Sequence, residues 1–145
     1  MRTADGIRAL VRETFAGASA GFRPCAFFDD RLDCIRVIAR DCSVLEIRLN
    51  PNLTVLQDNY YPQFGGKQYV GFTVKGARHF CNEHGLSMGA PINVSDLLDA
   101  ILKAFPDVAV ELFVNAIARP LVQEENIERV DVSGASGNIP AASLA

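Results

Sequence analysis

Both histidines of the chain and one of its four cysteines lie within six residues of each other, at His79, Cys81 and His84. Imidazole and thiolate are preferred ligands of Zn²⁺. A cysteine whose thiolate is activated by a nearby histidine can instead act as a nucleophile. These three residues are therefore the candidate centre of a metal-binding protein or an enzyme.

The spacing of the three residues argues against their convergence on one ligand. If the segment is helical, Cys81 and His84 share one face, and His79 lies on another face, four residues from Glu83. A zinc site needs three or four converging ligands, and the sequence has no Cys-x-x-Cys pair to supply them. The favoured interpretation is a helix end whose Cys81 lies in the core. No cofactor is predicted, and zinc is the alternative.

Three arginines on predicted strands form a second candidate binding site. Alternation with apolar residues places Arg36 and Arg40 on the polar face of one strand, and Arg48 on the same face of the neighbouring strand. Such a face could bind an anionic ligand or a nucleic-acid backbone. It lacks the interleaved aromatic side chains on which single-stranded bases stack, and cross-strand pairing with Glu46 accounts for the arginines. We therefore do not expect a nucleic-acid partner.

Aromatic residues of a predicted loop are candidates for contact with a partner. Pro62 and the glycine pair at 65–66 keep this segment irregular, and aromatic side chains are enriched at protein interfaces. The same side chains could equally pack against helices of their own domain. The three aromatic residues are Tyr60, Tyr61 and Phe64.

The composition predicts a soluble, folded domain. The 145 residues are 49% apolar and 21% charged, with a formal net charge of −3, which excludes a disordered or low-complexity chain. An acidic chain disfavours duplex DNA and anionic membranes as partners. No apolar run is long enough for a signal peptide or a membrane helix, so we expect a cytoplasmic protein that does not bind membranes.

Alternating apolar and polar residues predict a run of β-strands in the first half of the chain. The predicted strands lie at 26–28, 35–40, 45–49, 53–58 and 69–74. Short turns join consecutive strands, which is typical of an antiparallel meander. In this arrangement Leu45, Ile47 and Leu49 face the core, and the arginines face solvent. A helix at 5–16, with apolar residues at three- and four-residue spacing, precedes the strands.

Helical periodicity dominates the second half of the chain. Predicted helices lie at 76–84, 96–105 and 108–118. Ser95 is predicted to cap the second of them. The third segment also fits a strand, but a cap at Asp107 and a stop at Pro120 favour a helix.

Together these elements predict an α+β fold, with an N-terminal helix, an antiparallel β-meander of four to five strands, and C-terminal helices packed on one face. One compact domain is expected at 1–132, ending in a short strand or extended arm at 127–132, followed by a small, polar tail at 133–145. An open meander must protect its edge strands, and pairing with a second copy does so. We therefore expect a non-enzymatic interaction or ligand-binding module that forms a homodimer, with a protein partner or small ligand also conceivable.

Overall fold

One seven-stranded mixed sheet organises the part of the chain that the structure, a computed structural model, describes: residues 21–63 and 68–134. Its strands are β1 (Cys25–Asp29), β2 (Cys34–Ile38), β3 (Val44–Arg48), β4 (Leu53–Asp58), β5 (Tyr69–Lys75), β6 (Ile92–Asn93) and β7 (Arg129–Asp131). Their order across the sheet is β3-β4-β5-β2-β1-β7-β6. Neighbouring strands are antiparallel except β1 and β7, which are parallel.

Helices cover one face of this sheet. They are α1 (Ala77–Glu83), α2 (Val94–Ala104), α3 (Val108–Phe113) and α4 (Arg119–Glu124), and a π-helical turn at Val114–Ala118 joins the last two into one continuous helix. The two-residue period of the strands directs Ile35 and Val37 of β2 toward the helices, and both are fully buried. On β5, the ring of Phe72 packs edge-on against Phe113 of α3, with centroids 5.6 Å apart. The sequence prediction of an α+β class is confirmed.

The predicted meander is wrong in its strand order. β3 does not pair with β2; β5 and β4 lie between them, and the short segment at 39–43 connects strands that are three positions apart. The two-residue period fixes the face on which a side chain lies, but it does not select the neighbouring strand. β5 is buried along its whole centre and has a hydrogen-bonded neighbour on each side, so it lies within the sheet instead of at its end.

The C-terminal half follows the sequence prediction closely, with two corrections at helix ends. Asn93, and not Ser95, caps α2, because its side chain accepts a hydrogen bond from the Ser95 amide at 2.9 Å. Residues 108–118 are helical, and Asp107 caps them as predicted. Pro120 does not end this helix. A proline ring normally collides with the carbonyl four residues earlier, and here the wider π-helical turn accommodates it.

The predictions for the two ends of the chain have different outcomes. The strand predicted at 127–132 forms as β7, but it joins the sheet beside β1, parallel to it. The predicted helix at 5–16 falls outside the described residues. Among the residues that are described, no helix has the length and apolar character needed to cross a membrane.

Candidate interaction surface

His79 and Cys81 of the sequence cluster lie on α1, and His84 is its C-cap residue. The structure does not bring the three side chains together. Cys81 faces the core and is 1% exposed. The His79 side chain is 78% exposed, and its Nε2 lies 3.3 Å from Glu83 Oε1. The His84 ring packs against Phe80, with centroids 4.7 Å apart. The three candidate ligands therefore point into different environments.

The surroundings of Cys81 favour the neutral thiol. Burial, and to a smaller extent the Asp33 carboxylate, raise the pKa of Cys81 to about 11. The thiolate that a nucleophile or a zinc ligand requires is scarce at neutral pH in such a setting. Cys81 lines a cleft of about 530 Å³, whereas His84 lines a different one of about 490 Å³. Over residues 21–63 and 68–134, no three His, Cys, Asp or Glu side chains are grouped to hold a metal ion.

The predicted aromatic and arginine residues are partly brought together, at the end of β4. Asp58 accepts a hydrogen bond from the Tyr60 amide at 2.9 Å and forms an ion pair with Arg40 at 3.5 Å. Tyr60 and Tyr61 remain 48% and 39% exposed. The loop is tied to the start of β3, since the Asn59 amide donates to the Ser43 carbonyl at 2.9 Å. Phe64 lies outside the described residues.

Arg36 and Arg48 do not form one patch, and their predicted placement on neighbouring strands is wrong. Both arginines lie on the sheet face opposite the helices. The residues in register between them are Thr73 of β5 and Thr54 of β4. Three strand spacings separate the two arginines, roughly 14 Å. Arg36 is half-buried in the sheet, and its Nε finds no hydrogen-bond partner in the described part of the chain. Arg48 lies at the outer edge.

That outer edge, strand β3, carries the most exposed apolar side chains of the sheet. Leu45 and Ile47 are 49% and 39% exposed. Ile47 is in register with Val55 of β4, a core residue, so both apolar side chains lie on the face that the helices cover elsewhere. Sequence reasoning placed Leu45 and Ile47 in the core because alternation identifies the apolar face of a strand without showing how far the helices extend over it.

The backbone of β3 is also available along its outer side. On either side of the strand, the Ser43 carbonyl accepts a hydrogen bond from the Asn59 amide, just after β4, and the Leu49 amide donates to the Leu53 carbonyl. Consecutive residues of a strand point their N–H and C=O groups to opposite sides, so the odd-numbered residues bond to β4. The groups of Val44, Glu46 and Arg48 point outward, and no strand within 21–63 or 68–134 pairs with them.

Two opposite charges alternate with these apolar residues. Glu46 and Arg48 lie on the sheet face opposite the helices, and both are exposed. The Glu46 carboxylate is 4.0 Å from Lys75 Nζ, at the limit of an ion pair, and its side chain is 57% exposed. We use the term β3 edge surface for the side chains of Leu45 and Ile47 together with the outward backbone and charges of Glu46 and Arg48.

The opposite edge of the sheet does not offer a comparable surface. β6 has only two residues, and one of them, Asn93, is engaged as the cap of α2. A very short edge strand is a common protection against pairing with other chains. Within residues 21–63 and 68–134, the two edges of the sheet therefore differ, since β3 offers a longer outer strand than β6.

No protein-family model, curated protein or solved structure matches this chain.

Proposed function

We propose that this protein is an interaction module that associates with a second copy of itself. The observation that carries the proposal is the β3 edge surface, where half-exposed Leu45 and Ile47 occur together with outward backbone groups that no strand of the described ranges pairs. An exposed apolar edge strand is a template for pairing with another chain. The separation of His79, Cys81 and His84 into different environments supports an interaction role over chemistry at that cluster.

The size of the apolar contribution sets the affinity to expect. Burying a leucine or isoleucine side chain completely contributes roughly 1.5–3 kcal/mol, so burying the exposed half of each contributes about 1 kcal/mol. Four such side chains in a dimer contribute about 4 kcal/mol, which is at the low end of the 4–15 kcal/mol that association costs. Backbone hydrogen bonds must supply the remainder. We therefore expect weak association, with a dissociation constant of about 10–500 µM.

Sedimentation equilibrium over about 5–500 µM protein tests the proposal. The mass should rise from that of one chain, 15.7 kDa, toward twice that value. Leu45→Asn should raise the protein concentration at which the mass begins to increase. Leu32→Asn is the matched control, because Leu32 is also exposed, at 64%, but lies in the turn between β1 and β2. A wild-type chain that stays at the single-chain mass up to 500 µM contradicts the proposal.

A further inference from the structure

We infer that two copies join edge to edge through β3 in one antiparallel register, in which Glu46 of each copy lies opposite Arg48 of the other. This inference rests on the proposed self-association and specifies its geometry. The two sheets would become one continuous sheet of fourteen strands, with a two-fold axis passing between the Ile47 residues of the two copies.

The backbone limits the registers that are available. Only residues whose N–H and C=O groups point outward can form the hydrogen-bonded pairs of a new antiparallel ladder, and on β3 these are Val44, Glu46 and Arg48. The position of the two-fold axis therefore defines four registers that pair a charged residue with another residue of the strand. Glu46 lies opposite Val44, opposite Glu46 or opposite Arg48, or Arg48 lies opposite Arg48.

The charges distinguish among these four registers. Directly opposite residues of a hydrogen-bonded pair have their Cα atoms about 5.5 Å apart, so like charges there destabilise the pairing and opposite charges stabilise it. Two of the registers place like charges across the axis, and one places each Glu46 against the uncharged Val44. The remaining register places Glu46 against Arg48 twice, once on each side of the axis.

The apolar residues of β3 fit the same register. With Glu46 opposite Arg48, Ile47 lies opposite Ile47 of the other copy, and Leu45 lies opposite Leu49. All three side chains lie on the helix-covered face of the sheet, where Leu49 is already packed against the core. Their pairs are of the non-hydrogen-bonded type, in which opposing Cα atoms approach to about 4.5 Å. The two apolar faces thus become continuous across the axis.

The alternation of charge explains why this edge pairs with itself. Edge strands are commonly protected from other chains by charged side chains, lysine above all. A row of one sign repels a second copy. The opposite signs of Glu46 and Arg48, two residues apart, are self-complementary under a two-fold axis and mismatched in either neighbouring register.

Charge reversal tests the register, with dissociation constants measured by sedimentation equilibrium. Glu46→Arg and Arg48→Glu should each weaken self-association at least tenfold, because each creates like pairs on both sides of the axis. The double variant Glu46→Arg/Arg48→Glu should return to within about threefold of wild type. Glu128→Arg, an exposed residue outside β3, controls for the change in net charge and should leave the constant unaltered. Circular dichroism checks that each variant is folded.

The outcomes separate the register from the self-association itself. A monomeric wild type removes the proposed function and this inference with it. A wild-type dimer whose single charge reversals associate as tightly as wild type overturns the register alone. The register is also overturned if the folded single variants associate more weakly than wild type and the folded double variant does not recover wild-type association.

Discussion

Replacing Gly71 by alanine should destabilise the fold severely, because two central strands approach each other too closely there for a side chain. A Cβ atom built on Gly71 would lie 2.0 Å from the Val37 carbonyl oxygen and 3.3 Å from Ile38 Cα. Gly71 is in register with Ile38 on β2 and with Leu56 on β4. The strand therefore has hydrogen-bonded neighbours on both sides and cannot move away from one without disturbing the other.

The expected loss of stability follows from the backbone movement that an alanine at position 71 requires. Restoring an ordinary contact of 3.4 Å or more requires β5 and β2 to separate locally by more than 1 Å, on the order of what breaks a ladder hydrogen bond. Overpacking of this kind costs about 1–3 kcal/mol, and each lost hydrogen bond adds about 1 kcal/mol. We expect a loss of about 2–4 kcal/mol, a large fraction of the 5–15 kcal/mol typical of a domain.

Urea denaturation followed by circular dichroism measures this loss. Gly89→Ala is the matched control, because its nearest atom is the Ser87 hydroxyl at 3.5 Å, and it should change the free energy of unfolding by less than about 0.5 kcal/mol. If Gly71→Ala unfolds within 0.5 kcal/mol of wild type and with the same denaturant dependence, the close pairing of β5 with β2 is refuted.

Three further predictions concern single groups. Thr54→Val should raise the free energy of unfolding by about 1 kcal/mol in urea, because Thr54 is 1% exposed and its hydroxyl has no hydrogen-bond partner in the described part of the chain; a loss of stability would show that the hydroxyl is satisfied. Asp107→Ala should lower it by about 1 kcal/mol, because Asp107 accepts from the Val110 amide at 2.9 Å; Asp107→Asn should retain most of the stability, and equal losses would contradict the cap. Burial raises the pKa of Cys81 from 9.0 to about 11, so as the pH rises the thiol loses its proton in the unfolded chain before it does so in the folded chain. The free energy of unfolding should therefore be highest below pH 9 and decline toward pH 11. Cys81→Ala should decline less over that interval, and an equal decline would contradict the shift.

Local elements were predictable because they depend on periodicity within the chain. The alternation around Ile35 and Val37 identifies both the strand and its buried face, and the three- and four-residue spacing of Leu97, Leu98 and Ile101 identifies α2 in the same way. The order of the strands was not predictable. Several strands share the same alternation, and the choice of neighbour depends on total burial across the sheet, as the central position of β5 shows.

The same limit explains the outcome for the site. Sequence proximity made His79, Cys81 and His84 look like one cluster, but the turn of α1 directs them into solvent, core and a neighbouring ring. Leu45 and Ile47 read as core residues because an edge strand is recognisable only once the strand order is known. The available signal was the pair of opposite charges, Glu46 and Arg48, flanking an isoleucine.

Amide hydrogen exchange, followed residue by residue by NMR at low and high protein concentration, reports directly on pairing at the β3 edge. The amides of Glu46 and Arg48 point away from β4, so they should exchange quickly in dilute protein and slowly once the chain associates. The Ile47 amide bonds to β4 and should be protected at both concentrations, which makes it an internal control. Glu46 and Arg48 amides that exchange at the same fast rate in dilute and concentrated protein would contradict association through this edge.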